Sequence, residues 1–345
     1  MKRISTMSLS SFEKIVKRCL AHLPKDDYPA LDTRKFVSTW ISFVLDQSQT
    51  SMRSMIQRLN IGKINVNLST FSKASKNRSP EVFKNLWLRL HKEANKTDKR
   101  GEKVKDIFPL DSTIISLTSK LLWQQEIYQV KLFSGINLTT QSPDGILLHF
   151  GQGHDSKYGD ETIDATPKNG VSVMDRGFCK LKRIKQLQEN KNTFFVLRLK
   201  NNMKLNPLEN GKYEIGTGKD RVVERVVIFC DLEKGTEFRF VTNLPEDGEF
   251  GVSNEEIAEI YRLRWQIELL WKFLKMHLKL DRIITKNVNG IEIQIYCSLI
   301  SYLILKLVKT PEIYGTSLLD KLRYLQAFMC QKMSYVHWFE ELVGC

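Results

Sequence analysis

Between Ile107 and Lys200 five short runs rich in Val, Ile, Phe and Leu follow one another, bounded by Gly, Asn and Pro. They read "IFPLDSTIISL", "IYQVKLFSGINL", "GILLHFGQ", "GVSVMD" and "TFFVLRLK". Runs of this length and composition are strands. The first three are closely spaced and suit antiparallel hairpins. The fourth and fifth are separated by a basic helical run, "CKLKRIKQLQEN", which suits a parallel crossover. This order commits the middle of the chain to a mixed α/β sheet.

The flanks differ in texture. Residues 1 to 100 carry amphipathic helical runs, "RKFVSTWISFVLDQ" and "SPEVFKNLWLRLHKEA", the second with Ser79 as N-cap and Pro80 at the first helical position. Between them, "SMRSMIQRLNIGKINVNLSTFSKASKNR" predicts two helices joined by a turn at Gly62. Either a helix-turn-helix or a surface helical hairpin fits. "EANKTDKRGEK" is polar enough to be a linker. Residues 201 to 250 look β-rich, with Gly-containing turns. "SNEE" then opens a long helix, Ser253 and Glu256 forming a capping box, and the remainder to Cys345 is mostly helical. The segments expected are therefore 1–100, 101–200, 201–250, 251–290 and 291–345.

Charge narrows the partner. The chain carries 53 Lys+Arg against 39 Asp+Glu, a formal charge of +14, which favours a polyanion. Residues 51–100 hold twelve basic and three acidic side chains, and residues 176–204 nine basic and one acidic. Residues 231–259 reverse this, with nine acids and two bases. Two basic blocks and a separate acidic one suggest a docking surface. The six cysteines are scattered without a C-x-x-C, which points away from zinc fingers and disulfide frameworks and fits a reducing cytoplasm. The N-terminus has no apolar signal core. The uncharged stretch Ile293–Leu305 is thirteen residues, short for a bilayer span, and predicts a buried helix.

One line of residues carries chemistry. In "YRLRWQIELLWKFLK", Tyr261, Arg264, Glu268 and Lys275 fall within about 60° of one another on a single 3.6-residue helix. Apolar residues flank the line on both sides: Ile260, Leu263, Ile267, Leu270, Trp271 and Leu274 on one, Trp265, Leu269, Phe273 and Met276 on the other. An i,i+4 ion-pair ladder would explain Arg264 and Glu268 but not Tyr261 or Lys275. A carboxylate so enclosed needs a partner, and a divalent cation shared with other acids is one candidate. Asp111 interrupts the apolar strand "FPLDSTII" and Asp175 closes "VSVMDRGF", although Asp is disfavoured in strands. Asp175 alone would pass for a turn residue. His149, His154 and Asp155 suggest a hydrogen-bonded loop rather than a metal site.

Together, Asp111 in "LDST", Asp175 in "MDRGF" and Glu268 within Tyr-x2-Arg-x3-Glu-x6-Lys resemble the DDE transposases of the IS-four insertion-sequence family, whose YREK signature all four letters match. The resemblance covers Asp106 to about Ile300. It implies an α/β, ribonuclease-H-like catalytic core, begun by five strands in 101–200, interrupted by the β-rich insertion 201–250 and completed by the Glu-bearing helix in 251–290. A helical DNA-binding region at 1–100 and a helical, dimerising C-terminal region at 291–345 would flank it. It implies two divalent ions, Mg²⁺ with Mn²⁺ as substitute, held by Asp111, Asp175 and Glu268. Tyr261, Arg264, Lys275 and Arg176 would hold DNA phosphates. The partners would be double-stranded transposon ends and target DNA, with a homodimer in the synaptic complex, no membrane, and a place on the nucleoid in a prokaryotic cytoplasm. Some members flip a base onto an aromatic residue of the insertion; this chain has no Trp there, only Tyr213, Phe229, Phe238, Phe240 and Phe250. A nuclease of the same fold without strand transfer, such as a junction resolvase, and a catalytically silent DNA-binding derivative are the alternatives.

Overall fold

The computed structural model describes residues 10–61, 64–96, 106–231, 235–248 and 251–329. The chain forms two compact units, one of residues 1–97, 117–125 and 272–345, the other of residues 98–116 and 126–271. Five helices lead: α1 (Ser10–Ala21), α2 (Thr33–Leu45), α3 (Met52–Ile61), α4 (Leu68–Asn77) and α5 (Glu81–Asn95). Then come β1 (Ile107–Ser116), α6 (Lys120–Trp123), β2 (Gln129–Asn137), β3 (Ser142–Phe150), α7 (Asp160–Asp164), β4 (Val171–Met174), α8 (Leu181–Glu189) and β5 (Phe194–Arg198). Strands β6 (Leu205–Pro207), β7 (Tyr213–Ile215), β8 (Val222–Asp231) and β9 (Thr236–Thr242) follow. Helices α9 (Asn254–Arg262), α10 (Trp265–His277), α11 (Val288–Leu307) and α12 (Leu318–Met329) complete the described strands and α-helices.

The sheet unit is a mixed α/β layer of nine strands among the described residues, ordered β3-β2-β1-β4-β5-β9-β8-β7-β6. Strands β1, β4 and β5 are parallel and the other pairings antiparallel. All five apolar runs are strands, joined as expected: hairpins first, then a crossover through α8. Residues 201–248 do not stand apart, because β9 pairs with β5 and β8 extends the same sheet.

Register decides what the sheet presents. Pro109 pairs with Val173, and Val173 with Val196. With a side-chain period of two, the next row on that face is Asp111, Asp175 and Arg198. The β1–β4 pairing ends at Leu110–Met174, so Asp111 stands one residue beyond it while β1 runs on beside β2 alone. That opens a crevice at the carboxyl ends of parallel strands, where open α/β sheets place ligands. Below the row, Val171, Val173, Val196, Val227, Phe240 and Leu244 pack against Ile257, Ile260 and Tyr261 of α9. On the opposite face Phe108, Leu110, Met174, Phe195 and Leu197 pack with Phe133, Phe178 and, from α8, Ile184 and Leu187. Apolar layers on both faces explain why these strands read as nearly continuous apolar runs.

In the helical unit α2 starts at Asp32, whose side chain accepts from the Lys35 N–H (2.8 Å). Helix α5 starts one residue later than expected. Pro80 occupies the cap position, while Ser79 Oγ accepts from the Glu81 N–H (3.2 Å). Helices α3 and α4 flank a short connection as expected, although Gly62 lies outside the described residues. Residues 97–103 of the expected linker and the C-terminal residues 330–345 lie outside them too. The capping box at Ser253 and Glu256 forms at the head of α9, in the sheet unit.

Helix α11 is longer than its uncharged stretch predicts, twenty residues instead of thirteen. Length and composition alone would let it cross a membrane, but most of it is buried in the unit. Glu292 pairs with Lys84 of α5 (2.9 Å), and Ser298 Oγ donates to the Leu278 carbonyl (2.7 Å), so these polar groups find partners within the protein. Just before it, the buried Lys279 donates from Nζ to the carbonyls of Phe43, Asp46 and Gln49, closing the end of α2.

Candidate active site

The line from Tyr261 to Lys275 does not lie on one helix. Helix α9 ends at Arg262, and α10 begins at Trp265. Between them the Arg264 N–H bonds the Tyr261 carbonyl (3.0 Å) and the Gln266 N–H bonds that of Leu263 (3.0 Å), i→i−3 spacings that tighten the turn. No Gly or Pro announces this break. The apolar flanks differ as well. Ile267, Leu270, Trp271 and Leu274 are buried, whereas Trp265 is 56% exposed and Leu269 42%, because α10 packs on one side only.

The break aims the polar groups inward. The Tyr261 ring packs at a tilt against Phe240 (ring centroids 4.5 Å apart), and its hydroxyl donates to Asp175 Oδ1 (3.1 Å). Arg264 Nη1 lies 3.3 Å from Asp111 Oδ2, and its Nη2 donates to Glu268 Oε1. One guanidinium thus joins the first strand acid to the helix acid. The Ser112 N–H donates to Asp111 Oδ1 (2.7 Å). Glu268 sits in the first turn of α10, where a carboxylate is favoured by the helix dipole.

Burial pushes the Asp111 carboxyl from 3.8 up to about 6; the Ser112 N–H and Arg264 oppose the rise, while Asp155 and Asp175 add to it. Burial, then the Asp175 charge, lifts Tyr261 to about 12, so its phenol stays a donor. Burial works against the Arg264 charge, but the bond to Glu268 and the nearby acids hold its pKa above the ordinary value. The sign for stability follows. A carboxyl whose folded pKa is raised favours folding while protonated, and that favour is lost as pH rises from about 4 through about 6. Asp111→Asn should therefore stabilise the metal-free protein above pH 6, by up to about 3 kcal/mol, with little gain at pH 4. Urea unfolding of both proteins across this range reads the difference directly.

The residues match the Transposase DDE domain over 102–304, which includes every group just described. A protein of Synechocystis sp. named as a transposase for insertion sequence element IS4SA is 61% identical over 97% of this chain and 99% of its own length. One of Geobacillus stearothermophilus, named for element IS5377, is 27% identical over 69% of this chain and 66% of its own. An Escherichia coli transposase for element IS421 is 37% identical over 26% of this chain and 23% of its own. This chain belongs to the DDE transposases.

In this transposase the structure brings together, through hydrogen bonds and ion pairs, Asp111, Arg264 and Glu268 on one side and Tyr261 and Asp175 on the other. Lys275 follows Glu268 by seven residues on α10, within the part of that helix that clusters with the helical unit. Arg176 is exposed in the short turn after Asp175 and lines an open cleft of about 520 Å³ with Lys131, Asp155, Lys200 and Asn202.

The acids offer hard oxygen donors of the kind magnesium takes. Among the described residues no three His, Cys, Asp or Glu side chains converge as arranged, because Arg264 stands between Asp111 and Glu268. The donor type and the raised Asp111 fit a cation, provided the guanidinium gives way.

One residue escaped the sequence, and so did one contact of another. Arg198 ends β5 with Nη1 3.9 Å from Asp175 Oδ1 and its guanidinium over the Phe238 ring (4.6 Å). Its only signal is a strand position whose row emerges from pairing. Asp155 belongs to a hydrogen-bonded loop, its Oδ1 accepting from Ser112 Oγ, with His149 stacked on Tyr158 (3.9 Å). Its tie to the strand of Asp111 was not foreseen.

Proposed function

We propose that this transposase is of the IS-four type, cleaves the terminal inverted repeats of an insertion sequence and joins the freed 3′-OH to target DNA. The observation that carries the reading is the row of Asp111 on β1 and Asp175 just past β4, with Arg264 tying Asp111 to Glu268 and the Tyr261 hydroxyl bonded to Asp175. The order β3-β2-β1-β4-β5, with β2 antiparallel between β3 and β1, supports a ribonuclease-H-like core.

Asp111, Asp175 and Glu268 would hold two divalent ions, Mg²⁺ or Mn²⁺, which when bound supply Lewis-acid stabilisation of the attacking and leaving oxygens. The chain's own part is positioning and charge. Arg264 pairs with two carboxylates in the DNA-free protein and turns its planar fork to a phosphate when DNA arrives. Tyr261 donates its phenol proton to the same backbone, and Arg198, Arg176 and Lys275 add positive charge along it. The helical region 1–100 would bind the DNA ends and 291–345 would pair protomers in the synaptic complex. The protein would act on the nucleoid in a bacterial cytoplasm.

The test uses purified full-length protein with duplexes bearing the element's ends. With Mg²⁺, uncut ends should be nicked at the 3′ boundary, and precut ends should be joined to a target plasmid. Cleavage without joining would favour a nuclease of the same core. No product with Mg²⁺ or Mn²⁺ would favour a silent DNA-binding derivative.

A further inference from the structure

Asp155 stands outside the acidic set yet one residue links it to that set. Ser112 follows Asp111 on β1, so strand alternation turns its side chain to the opposite face. There Ser112 Oγ donates to Asp155 Oδ1 (2.7 Å), while its N–H donates to Asp111 Oδ1 (2.7 Å). Lys131 on β2, itself buried, places Nζ 2.6 Å from the same Asp155 oxygen and donates to the Gly153 carbonyl (3.0 Å). The other oxygen, Oδ2, faces Gly177, where an added Cβ would lie 3.1 Å away. Gly177 sits two residues after Asp175. The backbone of Asp155 is held as well, its carbonyl accepting from Arg183 Nη1 (3.1 Å).

A charge pair this enclosed is a poor way to gain stability, since desolvation offsets most of the attraction and apolar residues would serve as well. What it supplies is fixed geometry. One carboxylate is bonded to the strand that carries Asp111 and fills the space beside the turn that leaves Asp175, where a side chain at position 177 would stand.

We propose that Asp155 is a positioning residue, clamping Ser112 and the Gly177 turn so that Asp111 and Asp175 keep the separation that two divalent ions require. The inference rests on the metal reading of those acids. Lys131 neutralises the clamp, so Asp155 holds position without competing for the ions.

The test is Mn²⁺ titration of the full-length chain followed by electron paramagnetic resonance, alongside end cleavage as a function of Mn²⁺. Asp155→Ala and Ser112→Ala should each weaken Mn²⁺ binding about 10- to 100-fold. Half-saturation by DNA ends should not change. The double variant should be no worse than either single one, as for residues acting in one unit. Asp155→Asn, whose side-chain oxygen still accepts from Ser112, should recover most of the affinity. Wild-type Mn²⁺ affinity in Asp155→Ala or Ser112→Ala, with folding checked by circular dichroism, overturns this inference alone, as do additive losses. Ser112→Ala keeps the test alive if Asp155→Ala does not fold. A wild-type chain that binds no Mn²⁺ overturns the metal reading and this inference with it.

Discussion

Glu268→Gln should cut Mg²⁺-dependent strand cleavage by about a thousand-fold or more, while binding to DNA ends changes less than about two-fold. Gln keeps the volume of the side chain and an oxygen that can still accept from Arg264. It loses the negative charge, and with it the share of cation binding that Glu268 would supply. Lewis-acid stabilisation by a bound metal is worth several kcal/mol, and each 1.36 kcal/mol is about ten-fold in rate. On this reading end binding would draw instead on basic side chains spread over the protein, so it has little reason to follow. Cleavage of labelled duplex ends, with electrophoretic mobility shifts on the same preparations, separates the two. A variant that cuts at the wild-type rate would remove Glu268 from the metal set.

Arg183→Leu should lower the free energy of unfolding by about 3–5 kcal/mol. Arg183 is 1% exposed on α8, and its guanidinium donates to the carbonyls of Asp155, Tyr158 and Phe178 and to the Asp160 carboxylate. Leucine fills part of the volume but leaves those carbonyls without a donor, each at a cost of about 1–3 kcal/mol. Lysine, with one ammonium in place of a planar fork, should recover only part of the loss. Urea unfolding measures the effect, and a change under about 1 kcal/mol would show that the surrounding loop re-pairs by itself. The same substitution should impair cleavage, because it frees the loop of Asp155 and the turn after Asp175 together.

How much of this was legible differs element by element. The five strands of residues 107–198 were readable because sheet burial on both faces imposes apolar runs that local composition reveals. The Ser253 cap was readable because a capping box is local. Asp111 was legible as an acid where propensity disfavours one. The break at Leu263–Arg264 was not, since its residues are ordinary helix formers and no Gly or Pro marks the i→i−3 turn. The exposed flank of α10 was hidden for a related reason: periodicity shows that residues share a side, not whether anything covers that side.

The order of residues by itself determined the strands, their hairpin and crossover connections, the family, and the chemical types at Asp111, Asp175, Tyr261, Arg264 and Glu268. Those follow from local propensity and from spacing along the chain. Only the tertiary structure decided that Arg264 bridges two acids from distant segments, that Arg198 joins the row of Asp175, and that Asp155 reaches Asp111 through Ser112. Each depends on strand register, which a shift of one residue would reverse, and register is set by the packing of both sheet faces at once.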